Sequence, residues 1–298
     1  MRSGFVTVVG RPNVGKSTLV NRMVGTKVSI ISSRPNTTRF PVRGVLHRTD
    51  AQVVFVDTPG IHRPRSALGE RLNEAADASL GEVDAVVVVV DAPGAMGPGD
   101  RTVLQRALGA PGAVTGEPPP VLVVVNKVDL ARPDEVVVRL ASAAEAVTVL
   151  AAEGSEPEVE YFPVSATTGD GVAALVDEIV ARLPDGPAYY PPDMVTDAPE
   201  VQQVAELVRE QLLARARDEL PHSIACRVTE WEWPRIRCEI LVERDSQKAI
   251  VIGRGGEVLK AVGTAVRRQL PPGAYLELHV KVERRWQQRD DALDRLGY

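Results

Sequence analysis

One octapeptide constrains this chain more than any other feature. Gly10-Arg11-Pro12-Asn13-Val14-Gly15-Lys16-Ser17, followed by Thr18, fits the pattern GxxxxGK[ST]. It comes directly after the apolar run Phe5–Val9 and opens a helical pattern over Ser17–Val24. Strand, glycine loop, helix is the context that gives the pattern meaning. The glycines let the backbone curl round a phosphate, and successive N–H groups with the helix N-terminus face its negative charge. Lys16 would reach the β- and γ-phosphates of a nucleotide, and the Ser17 hydroxyl would ligate magnesium.

Such a loop needs a buried sheet behind it, and the chain supplies one. Val53–Val56, Ala85–Val90 and Val121–Val125 are near-continuous runs of β-branched residues, the pattern of parallel strands covered on both faces. Helical patterns lie between them at Ala67–Leu80, Arg101–Leu108 and Glu135–Leu150, and Tyr161–Val164 with the helix Val172–Leu183 completes the alternation. This predicts a doubly wound α/β domain with its ligand at the carboxyl ends of the strands. Aromatics are only 4% of the 298 residues, so the core rests on Val, Leu, Ile and Ala. The runs are too short to cross a bilayer, and the N-terminus enters a strand at once, leaving no room for a targeting peptide. Cys226 and Cys238 have no metal spacing and are expected to be free and buried, and His47, His62, His222 and His279 are scattered.

The polar motifs that follow the strands sharpen the ligand. Asp57-Thr58-Pro59-Gly60 ends the run Val53–Val56; Asp57 is the expected magnesium partner, and Gly60 can offer its N–H to a γ-phosphate. Asn126-Lys127-Val128-Asp129 follows Val121–Val125. A carboxylate only accepts hydrogen bonds, so Asp129 can take N1–H and N2–H₂ of guanine together, which adenine does not offer. A site built this way with Asp129 buried rejects the analogue by factors on the order of 10⁴ or more. Asn126 would brace the loop, the Lys127 stem would cover the base, and the Ala166 N–H in Ser165-Ala166-Thr167 would bond guanine O6. In Arg34-Pro-Asn-Thr-Thr38-Arg39 a threonine can close over magnesium and γ-phosphate, and Thr38 is preferred to Thr37. Lys16, Thr38 and Gly60 are thus the catalytic candidates, and Ser17, Thr38 and Asp57 the metal set. Ile61 follows the glycine where Ras-like enzymes carry a water-orienting glutamine. Unaided turnover should therefore be slow, with water positioned by backbone, potassium or a partner.

The pattern changes after Leu183. Residues 1–183 read as the nucleotide domain, 184–199 as a linker rich in proline (PDGP, YYPPD), and 200–298 as a second domain. Helix Val201–Leu220, strands Ser223–Trp233 and Arg235–Glu243, helix Val258–Leu270 and strand Tyr275–Val282 give α-β-β-α-β, with a further break of one helix left open. Apolar Ala249–Ile252 leads into Gly253-Arg254-Gly255-Gly256, a GxxG loop of the kind that clamps single-stranded RNA in KH modules. Arg254, Lys248, Lys260, Arg267 and Arg268 surround it and could meet phosphates. The net charge of −5 excludes coating of nucleic acid by bulk charge. From Glu200 onward, 17 basic and 16 acidic residues balance at +1, so the second half is the less acidic. The insertions Gly109–Pro120 and Ala151–Glu160 read as surface loops.

End to end, the chain resembles the bacterial Era family of GTPases. GRPNVGKST, PNTTR, DTPGIH, ERLNEAADASLGEVD, NKVD and VSA carry the resemblance in the first part. PPDMVTD, ELPHSIAC, IVIGRGG and LHVKVERRW…LGY carry it in the second. The resemblance implies a P-loop GTPase sheet followed by a smaller α+β KH domain of type II topology. It implies GTP/GDP with Mg²⁺, slow hydrolysis stimulated by RNA, binding near the 3′ end of 16S rRNA, and a role in 30S subunit assembly. It also implies a cytoplasmic, monomeric protein with weak peripheral association at the inner face of the cell membrane. A passive RNA-binding module is disfavoured by the intact Lys16, Ser17 and Asp57. The single GTPase domain disfavours a two-GTPase-domain assembly factor, and the lack of a C-terminal cysteine disfavours a tRNA-modification GTPase.

Overall fold

The computed structural model describes residues 1–81, 83–111, 118–151, 157–215 and 220–298. The middles of the two expected insertions and the end of the helix expected over Val201–Leu220 lie outside these residues. The chain divides into two compact units. The first comprises Met1–Ser29, Thr38–Arg63 and Arg71–Asp197; the second comprises Ile30–Thr37, Pro64–Glu70 and Ala198–Tyr298.

In element order the first part runs β1 (Arg2–Gly10), α1 (Lys16–Val24), β2 (Val42–His47), β3 (Ala51–Asp57), α2 (Ala67–Ala78) and β4 (Ala85–Asp91). It continues with α3 (Pro98–Leu108), β5 (Val121–Asn126), α4 (Pro133–Leu150), β6 (Val159–Val164) and α5 (Val172–Arg182). Six strands form one sheet in the order β2-β3-β1-β4-β5-β6. All neighbours pair in parallel except β2 with β3. Every residue of β3 is buried, as a strand covered on both faces requires. One apolar cluster packs α1 and α5 on one face (Leu19, Val20, Leu175, Ile179), and another packs α3 and α4 on the other (Val103, Leu104, Ala143, Val147). β1 is the switch point: β3 lies on one side and β4 on the other, so the crevice opens at its carboxyl end, Gly10.

The sequence reading passed over β2, which is an antiparallel edge strand. Its cover is the proline-rich stretch expected as a linker. That stretch is tied to the first unit as far as Asp197. Val45 N–H donates to the Val195 carbonyl (2.9 Å), the buried Gln52 side chain bonds the backbone of Tyr189 and Tyr190, and Arg43 pairs with Asp197 (2.8 Å). Extended, proline-rich backbone leaves its own N–H and C=O groups unpaired, which suits it to satisfy an edge strand.

The second unit contains α6 (Glu200–Leu213), α7 (Leu220–Ser223), β7 (Ala225–Glu232), β8 (Arg235–Val242), α8 (Asp245–Ile252), α9 (Glu257–Arg267), β9 (Tyr275–Val282) and α10 (Asp290–Leu296). Its sheet is β7-β8-β9, antiparallel then parallel. Val204, Val208 and Leu212 of α6 pack on Ile236, Cys238 and Ile240 of β8 and on Val262 and Val266 of α9. Cys226 and Cys238 are free and buried, and burial pushes the Cys226 thiol up. Ala249–Ile252, apolar but short, is the last turn of α8, so a helix stands on each side of the glycine loop. Segment Ile30–Thr37 belongs to this unit. Ile31 N–H donates to Glu210 Oε1 (3.0 Å), and the fully buried Arg209 pairs with Glu206 and donates to the Thr37 carbonyl.

Candidate functional site

The nucleotide-site candidates converge at the carboxyl ends of β1, β3, β5 and β6. The loop after β1 turns through left-handed backbone at Asn13 (φ 67) and Gly15 (φ 97), and Gly15 caps α1. A side chain on Gly15 would meet Asn126 Nδ2 at 2.3 Å, so the turn needs glycine for both φ and space. Lys16, 6% exposed, lies back along the loop and donates to the carbonyls of Gly10 and Arg11 (3.1 Å each). Burial pushes its ammonium down to about 8 against the pull of Asp57.

Ser17, Thr38 and Asp57 come together as the sequence suggested. Ser17 Oγ lies 2.9 Å from Thr38 Oγ1, which donates to Asp57 Oδ2 at 3.3 Å. Asp57 is fully buried, and its Oδ1 has no hydrogen-bond partner. Burial pushes its carboxyl up, with Lys16 opposing. A buried carboxylate oxygen without a donor beside two hydroxyl oxygens is an all-oxygen set that a hard divalent cation fits. The poorly solvated ammonium of Lys16 fits a phosphate equally well.

The loop after β3 closes on the phosphate loop. Ile61 N–H donates to the Gly10 carbonyl (3.2 Å), Thr58 Oγ1 donates to the Val8 carbonyl (2.8 Å), and Pro59 is buried between them in sequence. A Cβ on Gly60 would stand 2.7 Å from Pro12 N, so only glycine allows this approach. The Ile61 side chain, 2% exposed, packs in the core with Val9, Leu80 and Val88. It is turned into the core and offers no polar group to a water.

At the base end, Asn126 is the brace. Its Nδ2 donates to the Val14 carbonyl (2.8 Å) and its Oδ1 accepts the Ala166 N–H (2.9 Å). The amide expected to read guanine O6 is thus engaged with Asn126. Lys127, in left-handed backbone (φ 66), donates to the Asn13 carbonyl at 2.6 Å. Asp129 is exposed rather than buried, because it lies in a short helical turn (Val128–Leu130) beyond the strand end, and Ser165 Oγ donates to its Oδ1 at 2.6 Å. Thr18 sits in the first turn of α1 beside Ser17.

Sequence reasoning missed an ion network behind these loops. Arg11 Nε donates to Asp100 Oδ1 (2.6 Å), Arg139 Nη2 lies 3.3 Å from Asp100 Oδ2, and Asp91 stands within 4.0 Å of Arg11, Arg139 and Lys127. Asp100 and Arg139 are almost fully buried. Asp100 precedes the helix expected from Arg101 and Arg139 lies inside the helical pattern Glu135–Leu150, and no local motif marks either.

These loops form a phosphate-binding cradle at the carboxyl end of the sheet. A family model described as a 50S ribosome-binding GTPase matches residues 5–127, and a KH-domain model matches residues 219–287. GTPase Era of Mycobacterium sp. (strain KMS) is 45% identical over 100% of this chain and 99% of its own. GTPase Era of Mycobacterium tuberculosis (strain ATCC 25177 / H37Ra) is 46% identical over 99% of this chain and 98% of its own. The chain belongs to the Era family of GTPases. Two solved Era structures match it over 100% of this chain and 99% of theirs. One is an Aquifex aeolicus Era variant bound to GDP·AlF4⁻ (36% identity, TM-score 0.88). The other is Era in complex with MgGDPNP and nucleotides 1506–1542 of 16S ribosomal RNA (37% identity, TM-score 0.89).

The KH-domain match covers the GxxG loop. Gly253, Gly255 and Gly256 have φ of 75, 60 and 80°. A Cβ on Gly253 would press on Val258 at 2.6 Å, whereas at Gly255 and Gly256 it would meet nothing within 4 Å. The last two therefore face open space, where a ligand's backbone could approach. Arg254 within the loop is exposed, as is Lys260 on α9, and Lys248 on α8 is half-buried.

Proposed function

We propose that this GTPase is a switch that binds single-stranded RNA near the 3′ end of 16S rRNA through its KH domain and serves assembly of the 30S subunit. The observation that carries the nucleotide half is the convergence of Ser17, Thr38 and the partnerless Asp57 oxygen beside buried Lys16. The RNA half is supported by the GxxG loop and by the related Era structure that holds rRNA nucleotides together with MgGDPNP.

In this reading Lys16 pairs with the β- and γ-phosphates while the loop N–H groups hold their oxygens. Ser17 and Thr38 hydroxyls and the Asp57 carboxylate hold Mg²⁺, which when bound neutralises charge developing on the phosphates. Gly60 N–H meets the γ-phosphate, so Thr38 and Gly60 are released when it leaves. Asp129, oriented by Ser165, accepts from the guanine edge, and the Lys127 stem covers the ring. Arg11, Pro12, Asn13 and Val14 shape the loop, and Asn126 ties it to Ala166. The attacking water is oriented by backbone, potassium or the RNA-bound state, since Ile61 is turned into the core. A monomer in the bacterial cytoplasm completes the proposal.

Turnover tests it. Purified full-length protein should hydrolyse GTP far more slowly than the roughly 10 s⁻¹ of a median enzyme. A 16S 3′-end oligonucleotide should accelerate it, and Gly255→Asp/Gly256→Asp should abolish the acceleration alone. Fast unaided turnover, or equal rates with and without RNA, would contradict the proposal.

A further inference from the structure

In the second unit most arginines on the sheet and on the C-terminal elements are paired. Arg227, Arg235, Arg237, Arg289 and Arg295 each lie within 4.0 Å of a carboxylate. Arg244, Arg284 and Arg285 differ. They are exposed, no described residue holds their guanidinium groups, and together with Glu243 and Asp245 they line a cleft of about 410 Å³.

The fold itself assembles this cleft. β8 and β9 are parallel neighbours in register from Arg235↔Tyr275 to Val242↔Val282, and Glu283 N–H extends the pairing to the Val242 carbonyl (2.8 Å). Arg244 and the Arg284–Arg285 pair therefore leave the sheet side by side, at the carboxyl ends of adjacent parallel strands. Arg285 is held in left-handed backbone (φ 52), an uncommon conformation for a non-glycine residue. Arg244 also caps the N-terminus of α8, and the C-terminus of α8 is the GxxG loop. Arg244 and Lys248 are four residues apart and so share one face of that helix. Arg244 stands at one end of this helix of about 12 Å, Lys248 lies one turn along it, and Arg254 follows its other end. Adjacent guanidinium groups without carboxylate partners repel one another, and a phosphate relieves that by bidentate bonding.

We propose that the Arg244/Arg284/Arg285 cleft binds a backbone phosphate of the same single-stranded RNA, beyond the nucleotides clamped by the GxxG loop. This rests on the RNA reading above and extends it to a second, sequence-independent contact reached along α8. Contacts of this kind lengthen the bound segment without adding base specificity.

The test compares RNA lengths on the full chain. A four-nucleotide RNA from the 16S 3′ end, the length a KH groove clamps, is compared with versions extended by about four nucleotides at either end. At one end, extension should tighten binding and steepen the salt dependence of affinity by about 0.7 per phosphate engaged. Arg244→Gln with Arg284→Gln should remove both gains and leave the short RNA unchanged. Arg285→Asn, which tolerates the left-handed backbone, should act likewise. No gain on extension, or a gain that survives these substitutions, overturns the proposal. No binding of the short RNA, with Gly255→Asp/Gly256→Asp without effect, overturns the RNA reading and the cleft assignment with it. Binding to phosphatidylserine vesicles that the arginine substitutions abolish, while the RNA gain persists, would assign the cleft to a lipid surface instead.

Discussion

At the residue scale the proposed base-reading end turns on one carboxylate and one hydroxyl. Ser165 donates to Asp129 Oδ1 at 2.6 Å, which orients the carboxylate and leaves Oδ2 and the second lone pair of Oδ1 as acceptors. Asp129→Asn replaces an acceptor by a donor on that edge. GTP should then bind weaker by a factor on the order of 10² or more, and xanthosine triphosphate should become the preferred nucleotide. Competition binding with the two triphosphates measures this, and an unchanged order of preference would remove Asp129 from the base site. The convergence of these motifs was legible in the sequence, because each follows a strand at a spacing that brings it to one crevice. Asp129's exposure and the use of the Ala166 N–H by Asn126 were not legible. Both depend on where a loop ends in space, which the residue types do not encode.

At the element scale the nucleotide loops lean on α3 and α4. Asp100, in the first turn of α3, takes Arg11 of the phosphate loop and Arg139 of α4, and its Oδ2 also accepts the Gly97 N–H (3.0 Å). Arg139→Met should leave part of a buried carboxylate unsatisfied and cost about 1–3 kcal/mol in stability. Urea unfolding of the two proteins would show it as a lower midpoint at unchanged slope. An equal midpoint would mean that the network contributes nothing. The parallel strands announced themselves as apolar runs, since burial on both faces leaves no polar alternation. β2 did not, because only the adjacent Gly44 and Val45 are buried while Arg43 is exposed, a pattern that is neither an apolar run nor a clean alternation. Ala249–Ile252 was too short an apolar stretch to distinguish strand from helix, and it proved to be the end of α8. The proline-rich stretch was legible as irregular but not as the cover of β2, since its bonds are made by backbone that carries no sequence signal.

At the scale of the whole molecule, membership of the Era family joins a GTPase sheet to a KH module in one chain. The segment preceding Thr38 belongs to the second unit while Thr38 itself belongs to the first. The chain therefore crosses from one unit to the other at the residue proposed to sense the γ-phosphate, and the proposed switch requires nucleotide state to bias RNA binding. A ligand shifts such an equilibrium only by its differential affinity for the two states. The direct measurement is the affinity of the full-length protein for a single-stranded 16S 3′-end oligonucleotide, with a non-hydrolysable GTP analogue and with GDP. Gly255→Asp/Gly256→Asp serves as the control. The account predicts tighter binding with the GTP analogue and loss of binding to the double variant in either state. Equal affinity in all four combinations would contradict it.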